Sequence, residues 1–230
     1  MYSRRSALIL FLIVLTSFAI AVVYYPRMPE YMASNFDARG NVNGYTSRFW
    51  GTFFTPILLG ILFLIFSSLS ALIRSRQITI PASSFVGPFL ISLFTFFALI
   101  NLQVIVWNAG HEISFAITIP IGVGALFMMV GQLLGSLQPN WFVGIRTYWT
   151  LKNRFVWEKT HERAAILFRI LGVIHMSAVF FREYILFFML LPAIFLGLYL
   201  IAYSFLLYQQ VEKFAQRTEN SKKSDPPGST

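Results

Sequence analysis

Three histidines, at 111, 161 and 175, and no cysteine set the limits of what this chain could catalyse. His111-Glu112 and His161-Glu162 each begin like the HExxH pattern of zinc proteases, in which two imidazoles four positions apart on one helix face hold the metal and the glutamate acts as base. The second ligand is missing in both, because Phe115 and Ala165 stand in its place. A metal site would need distant carboxylates such as Glu158 and Glu162 to converge, and no thiolate can help. No G-x-S-x-G elbow or phosphate-cradling P-loop occurs. The expectation is a protein that is not an enzyme and holds no cofactor and no metal.

What remains is a set of polar groups inside apolar runs: Asn101, Gln103, Gln132, Arg169 and His175. Polar side chains at membrane depth mark either helix–helix hydrogen bonds or a pathway. Arg169 lies roughly 9 Å along a helix counted from Arg163 and can snorkel back to the interface, whereas His175 lies roughly 18 Å along, near mid-membrane. His175 is read as packing with one interhelical hydrogen bond, or alternatively as a proton-sensitive contact.

The elements that carry these groups follow from composition. The chain is 57% hydrophobic and 12% charged, beyond what a soluble domain can bury. Six stretches are long and apolar enough to cross a bilayer: 7–25, 52–73, 84–107, 113–134, 164–181 and 184–208. Ala19-Ile20-Ala21 resembles a signal-peptide cleavage site, but the apolar run continues to Tyr25, which fits a retained signal anchor better. With the N-terminus inside, Arg4, Arg5, Arg74, Arg76, Arg146, Lys152, Arg154, Lys159, Arg163, Lys213, Arg217, Lys222 and Lys223 are cytoplasmic, thirteen in all, against Arg27, Arg39, Arg48 and Arg182 outside. That bias predicts both termini inside. It also explains the net charge of +9 through anionic lipid headgroups, so no direct nucleic-acid partner is expected.

The fold class expected is thus an all-α polytopic membrane protein, a six-transmembrane-helix bundle with both termini cytoplasmic. Its parts are a first helix and extracytoplasmic segment (1–51), helices two to four (52–134), a cytoplasmic loop (135–163), helices five and six (164–211) and a disordered cytoplasmic tail (212–230). In the extracytoplasmic segment Asn43-Gly44 suits a two-residue hairpin turn. That segment is either a plain connector or a surface that meets something from outside. In the cytoplasmic loop Trp141, Trp149 and Trp157 recur every eight residues among basic side chains, as in a segment lying among headgroups. Thr150 is placed to cap a helix running from Leu151 into the fifth span, on which Trp157 and His161 share a face. Arg146, after Gly144, could turn back onto the carbonyls that end the fourth helix. The loop reads equally as an interfacial anchor or as a platform for a cytoplasmic partner. Gly131 and Gly135 form a GxxxG pair, which allows close packing within the chain or a homodimer through that face.

The run Pro139-Asn140-Trp141-Phe142-Val143-Gly144-Ile145-Arg146-Thr147-Tyr148-Trp149-Thr150-Leu151, followed by Val156-Trp157 and Lys159-Thr160-His161, resembles the signature of the SdpI-type immunity proteins. Met28-Pro29, Asn35-Phe36, Gly40 and Gly44-Tyr45 resemble the short domain of unknown function that often precedes it. The resemblance implies a multi-pass cell-membrane protein that protects its producer from a secreted toxin peptide or protein, and that also acts as a receptor sequestering a cytoplasmic repressor. It implies a functional signature of Asn140, Trp141, Gly144, Arg146, Thr147, Trp149, Trp157 and His161, and an extracytoplasmic set of Pro29, Asn35, Phe36, Gly40 and Gly44. A small-solute transporter or channel is the alternative; no Asp or Glu lies well inside any span, which counts against proton coupling.

Overall fold

The computed structural model describes residues 2–75, 85–140 and 142–224, excepting the side chains of 74 and 221–224. Trp141 and the start of the third span at residue 84 lie outside the described residues. Ser3 opens the first helix by accepting the Ser6 amide at 3.0 Å, and α1 runs Arg4–Tyr24. A 3-10 turn, Tyr25–Arg27, leads to strands β1 (Tyr31–Phe36) and β2 (Val42–Ser47). Then come α2 (Arg48–Ser75), α3 (Val86–Asn108), α4 (Phe115–Gly135), the five-residue α5 (Tyr148–Lys152), α6 (Arg154–Ser177) and α7 (Ile185–Ser224). Pro88 sits in the first turn of α3, where its missing donor costs no helical bond, while Pro56, Pro120 and Pro192 lie further inside α2, α4 and α7.

Among the described residues six helices are long and apolar enough to cross a membrane. Their outward faces are apolar too, with Leu8, Phe11, Leu15, Leu64, Phe195 and Leu198 all exposed. Water would penalise such a surface and lipid does not, so this is a multi-pass membrane protein. The interior falls into two groups. Helices α1, α2 and α3 close around Leu10, Leu59, Leu90 and Phe94. Helices α4, α6 and α7 close around Leu133, Leu134, Trp157, Ala164 and Leu200.

The α4–α6 contact is the most extensive in the molecule, and small residues explain it. A Cβ added at Gly124 would lie 2.5 Å from the Gly172 carbonyl oxygen, and one at Gly172 would lie 2.5 Å from that of Gly124. Backbones can approach this closely only where side chains are absent. Gly131 faces the Ala165 carbonyl and Arg169, and Gly135 faces the Ala165 methyl. The GxxxG face offered by the sequence for a homodimer is therefore occupied by α6 of the same chain.

Four expectations need correction. The hairpin exists, but its turn spans Asp37–Asn41, and Gly44 lies in β2 opposite Asn35. A turn at Asn43-Gly44 would leave too few residues before α2 to form a second strand. The turn at 37–41 is instead closed by the Asp37 carboxylate, which accepts the amides of Arg39 and Asn41 at 2.8 Å each, and by Gly40 at φ +89°. The segment 135–163 is not one loop, since α5 interrupts it and α6 begins at Arg154. Asn153 rather than Thr150 caps α6, its side chain accepting the Val156 amide at 3.1 Å. Lastly, residues 212–224 of the expected tail continue α7, and residues 225–230 lie outside the described residues. Those residues are polar but rich in Glu, Gln, Lys, Arg and Ala, which favour helix without needing burial.

Candidate functional site

At the end of the bundle where α4 stops, the chain folds into a clasp over the start of α6. The last turn of α4 is closed by its own backbone, Ser136 and Leu137 donating to the carbonyls of Leu133 and Leu134 at 3.1 and 3.2 Å. Asn140 then shapes the loop, its Oδ1 accepting the amides of Phe142 and Val143 at 2.8 Å each and its Nδ2 donating to the Gln138 and Val143 carbonyls at 2.9 and 3.1 Å. Gly144 follows at φ +125°, a region that only glycine enters without strain.

The reason for that backbone is His161. The Ile145 amide donates to His161 Nε2 at 3.1 Å, so Nε2 is unprotonated, and Nδ1 therefore carries the hydrogen and donates to the Trp157 carbonyl at 2.9 Å. A neutral imidazole of one tautomer is fixed on both sides. Its ring stacks on the Trp157 indole with centroids 4.0 Å apart, and the indole Nε1 donates to the Leu137 carbonyl at 3.4 Å. Trp157 is fully buried and His161 is 2% exposed. A Cβ at residue 144 would lie 2.5 Å from His161 Nε2 and 3.0 Å from the indole. Gly144 is thus required twice, for its dihedral and for its closeness.

The clasp continues onto α7. Thr147 and Thr150 form a reciprocal cap on α5, each hydroxyl accepting the other's amide at 3.2 and 3.0 Å, and the Thr150 hydroxyl donates to the Ile145 carbonyl at 2.8 Å. Thr147 also reaches Ser204 on α7 at 3.2 Å, and Trp149 packs on Phe205 at 5.0 Å. The Lys152 ammonium sits beside the Tyr148 and Tyr208 rings, 5.3 and 5.6 Å from their centroids. The Tyr208 and then the Tyr148 hydroxyl hold its pKa above the usual lysine range. Tyr208 in turn hydrogen-bonds Glu212.

At the other end of the bundle, Asn108, the last residue of α3, grips β1 as a neighbouring strand would. Its Oδ1 accepts the Ala33 amide at 2.8 Å, and its Nδ2 donates to the Ala33 carbonyl at 3.0 Å and to the Val104 carbonyl at 2.8 Å. Phe36 stacks on Phe115 at 4.0 Å and meets Trp107 edge-on at 5.1 Å. Gly40 approaches the start of α4, where an added Cβ would lie 3.1 Å from Ser114 Oγ. Pro29 and Asn35 are exposed.

With both ends described, the comparisons fall into register with them. Residues 136–207 match the SdpI/YfhL protein family and residues 12–60 match a domain of unknown function, DUF1648. The chain is also 23% identical over 189 residues to the immunity protein SdpI of Bacillus subtilis (strain 168), covering 81% of this chain and 87% of that one. No solved structure matches it. The matched segment contains the Asn140 turn, α5, all of α6 and, on α7, Ser204 and Phe205, and it stops one residue short of Tyr208.

Within that segment the structure brings together Asn140, Gly144, Thr147, Trp149, Trp157 and His161; Trp141 is outside the described residues. It does not bring in Arg146 as expected. That side chain is exposed and makes no hydrogen bond or ion pair among the described residues. Carbonyls at the end of α4, which it was expected to reach, are met by the backbone amides of Ser136 and Leu137, and the Trp157 ring is buried and is not a headgroup anchor. Arg169 is exposed and bonds the Ala165 carbonyl one turn back at 3.0 Å. His175 is buried against Phe127 at 4.8 Å, and its Nδ1 lies 2.9 Å from the Leu171 carbonyl. That bond is within α6, not between helices. No group of three or more His, Asp or Glu side chains that could hold a metal occurs among the described residues. Sequence reasoning missed Asn108, Ser204 and Tyr208, because nothing in an isolated Asn, Ser or Tyr says which distant backbone or ring it will meet.

Proposed function

We propose that this protein is a membrane immunity protein, which protects the cell that makes it from a secreted antimicrobial peptide or protein. The observation that carries the reading is the match to the immunity protein SdpI over 81% of the chain, with the family segment overlapping the clasp. The chemistry agrees. A clasp whose histidine has both nitrogens occupied is a rigid scaffold, suited to presenting a surface and not to turning over a substrate. The excess of basic residues at the clasp end supports an orientation with both termini cytoplasmic, the hairpin outside and the clasp inside. In that orientation the hairpin is the part that meets the toxin. Phe142, Val143 and Arg146, exposed on the Asn140 turn, are the surface a cytoplasmic repressor would bind.

Transport gains no support from the cavity beneath the hairpin, which is lined mainly by apolar side chains and sits at the helix ends. One experiment separates the two readings. A sensitive host making the protein should survive the toxin, while reconstituted vesicles should show no flux of ions or small solutes. Flux without protection would establish the transporter instead.

A further inference from the structure

Between the hairpin and the ends of α3, α4 and α7 lies a cavity of about 460 Å³, in the size range of small-molecule sites. Its walls divide by chemistry. The interior is Ile100 and Val104 of α3, Phe115, Ile119 and Pro120 of α4, and Met189 of α7, all apolar. The mouth is Ser34, Asn35 and Asp37 of the hairpin. One wall is Leu186, which is 56% exposed on the outward, lipid-facing side of α7. The hairpin covers the cavity at the end of the bundle, and the exposed Leu186 adjoins it on the lipid-facing side of α7. Measured from the helix ends, the apolar lining reaches about five residues down α4, roughly 7.5 Å, the depth at which headgroups give way to acyl chains.

Asp37 supplies the charge. Its Oδ1 accepts two backbone amides, of Arg39 and Asn41, and its Oδ2 accepts the Asn41 side chain at 3.1 Å. These bonds hold its carboxyl below the usual carboxylate range, so it is ionised at neutral pH. It makes no ion pair among the described residues. Both backbone amides fall on Oδ1, and Oδ2 accepts only the Asn41 side chain, which leaves that oxygen able to accept a further donor. A fixed negative charge at the mouth of an apolar slot selects against anionic lipids and favours a head that both carries positive charge and donates hydrogen bonds.

We propose that this cavity is a binding site for a phospholipid with a primary ammonium headgroup, the ammonium at Asp37 and the upper part of an acyl chain against Ile119 and Met189. The inference is independent of the immunity reading and needs only that the helices span a bilayer. The lipid would fill the space beneath the hairpin and so fix its attitude over α3 and α4.

The test is native mass spectrometry of the full-length protein after equilibration with vesicles of phosphatidylethanolamine, phosphatidylcholine and phosphatidylglycerol in equal amounts. Phosphatidylethanolamine and phosphatidylcholine carry the same net charge but differ in N–H donors, which isolates the hydrogen bond. One retained phosphatidylethanolamine is expected, preferred over phosphatidylcholine about ten-fold, the factor that one charge-assisted hydrogen bond would give. Asp37→Asn should remove the preference, and Ile119→Trp, which fills the slot and leaves the turn intact, should remove the retained lipid. Equal retention of all three lipids by the natural protein, or an unchanged preference in correctly folded Asp37→Asn, would overturn the proposal. So would retention of the lipid by Ile119→Trp, or a cavity that takes up a water-borne cationic peptide and no lipid.

Discussion

The hairpin and the clasp solve the same problem in opposite ways. Each must hold irregular backbone against the ends of membrane helices, where loose amides would be costly. The hairpin is held from outside itself, by the Asn108 amide acting as a third strand along one edge and by Phe36 resting on Phe115 and Trp107. The clasp is held from beneath, by a fully buried Trp157 and a histidine whose two nitrogens complete the backbone bonds of Trp157 and Ile145. Loss of a grip at an edge opens that edge alone. Loss of a buried pair opens the junction of α4, α6 and α7 together.

Trp157→Ala should therefore have the largest effect. Removing a buried aromatic side chain costs about 3–5 kcal/mol, and here it also frees the Leu137 carbonyl and one face of His161. The thermal midpoint in detergent should fall steeply. A midpoint close to that of the natural protein would mean the clasp is not a core element.

Gly144→Ala comes next, at about 2–3 kcal/mol, from about 1–2 for the left-handed backbone and about 1 for the Ile145–His161 hydrogen bond. Amide exchange at Ile145 should quicken while that at Ala33 stays slow. If both quicken equally, the two ends of the bundle are coupled and the contrast drawn here fails.

Asn108→Leu sharpens the contrast from the other side. It strands the amide and carbonyl of Ala33 at about 1–3 kcal/mol, yet the unfolding midpoint should barely move, because the opening is local. Exchange should accelerate at Ala33 and remain unchanged at Ile145.

Arg146→Lys should be the mildest, within about 0.5 kcal/mol, as for exposed residues without partners. A large loss of stability would revive the expectation that its guanidinium caps α4.

How much of this was legible in the sequence depends on the range of the interaction. The six spans were legible because twenty apolar residues in a row have few other fates, and Trp157 and His161 on one face follow from their spacing of four. The role of Gly144 was visible only as a turn; that its missing Cβ makes room for a histidine seventeen residues on requires the fold. Asn153 and Thr147 displaced Thr150 as caps because several polar residues compete at neighbouring positions and only geometry chooses. The α4–α6 glycines signalled close packing, but a GxxxG pair looks the same whether its partner is another helix of the chain or a second copy. The hairpin turn was misplaced because Asn43-Gly44 is a strong local signal, outweighed by the Asp37 bonds and the need to reach α2.

The most direct test of the proposed function is a survival titration. A sensitive bacterium producing the protein, with membrane abundance verified, is exposed to rising concentrations of the antimicrobial peptide or protein that the natural producer secretes. Survival should extend well above the concentration that kills cells carrying an empty vector. Equal killing of both, at confirmed abundance and with the natural protein correctly folded, would contradict an immunity role.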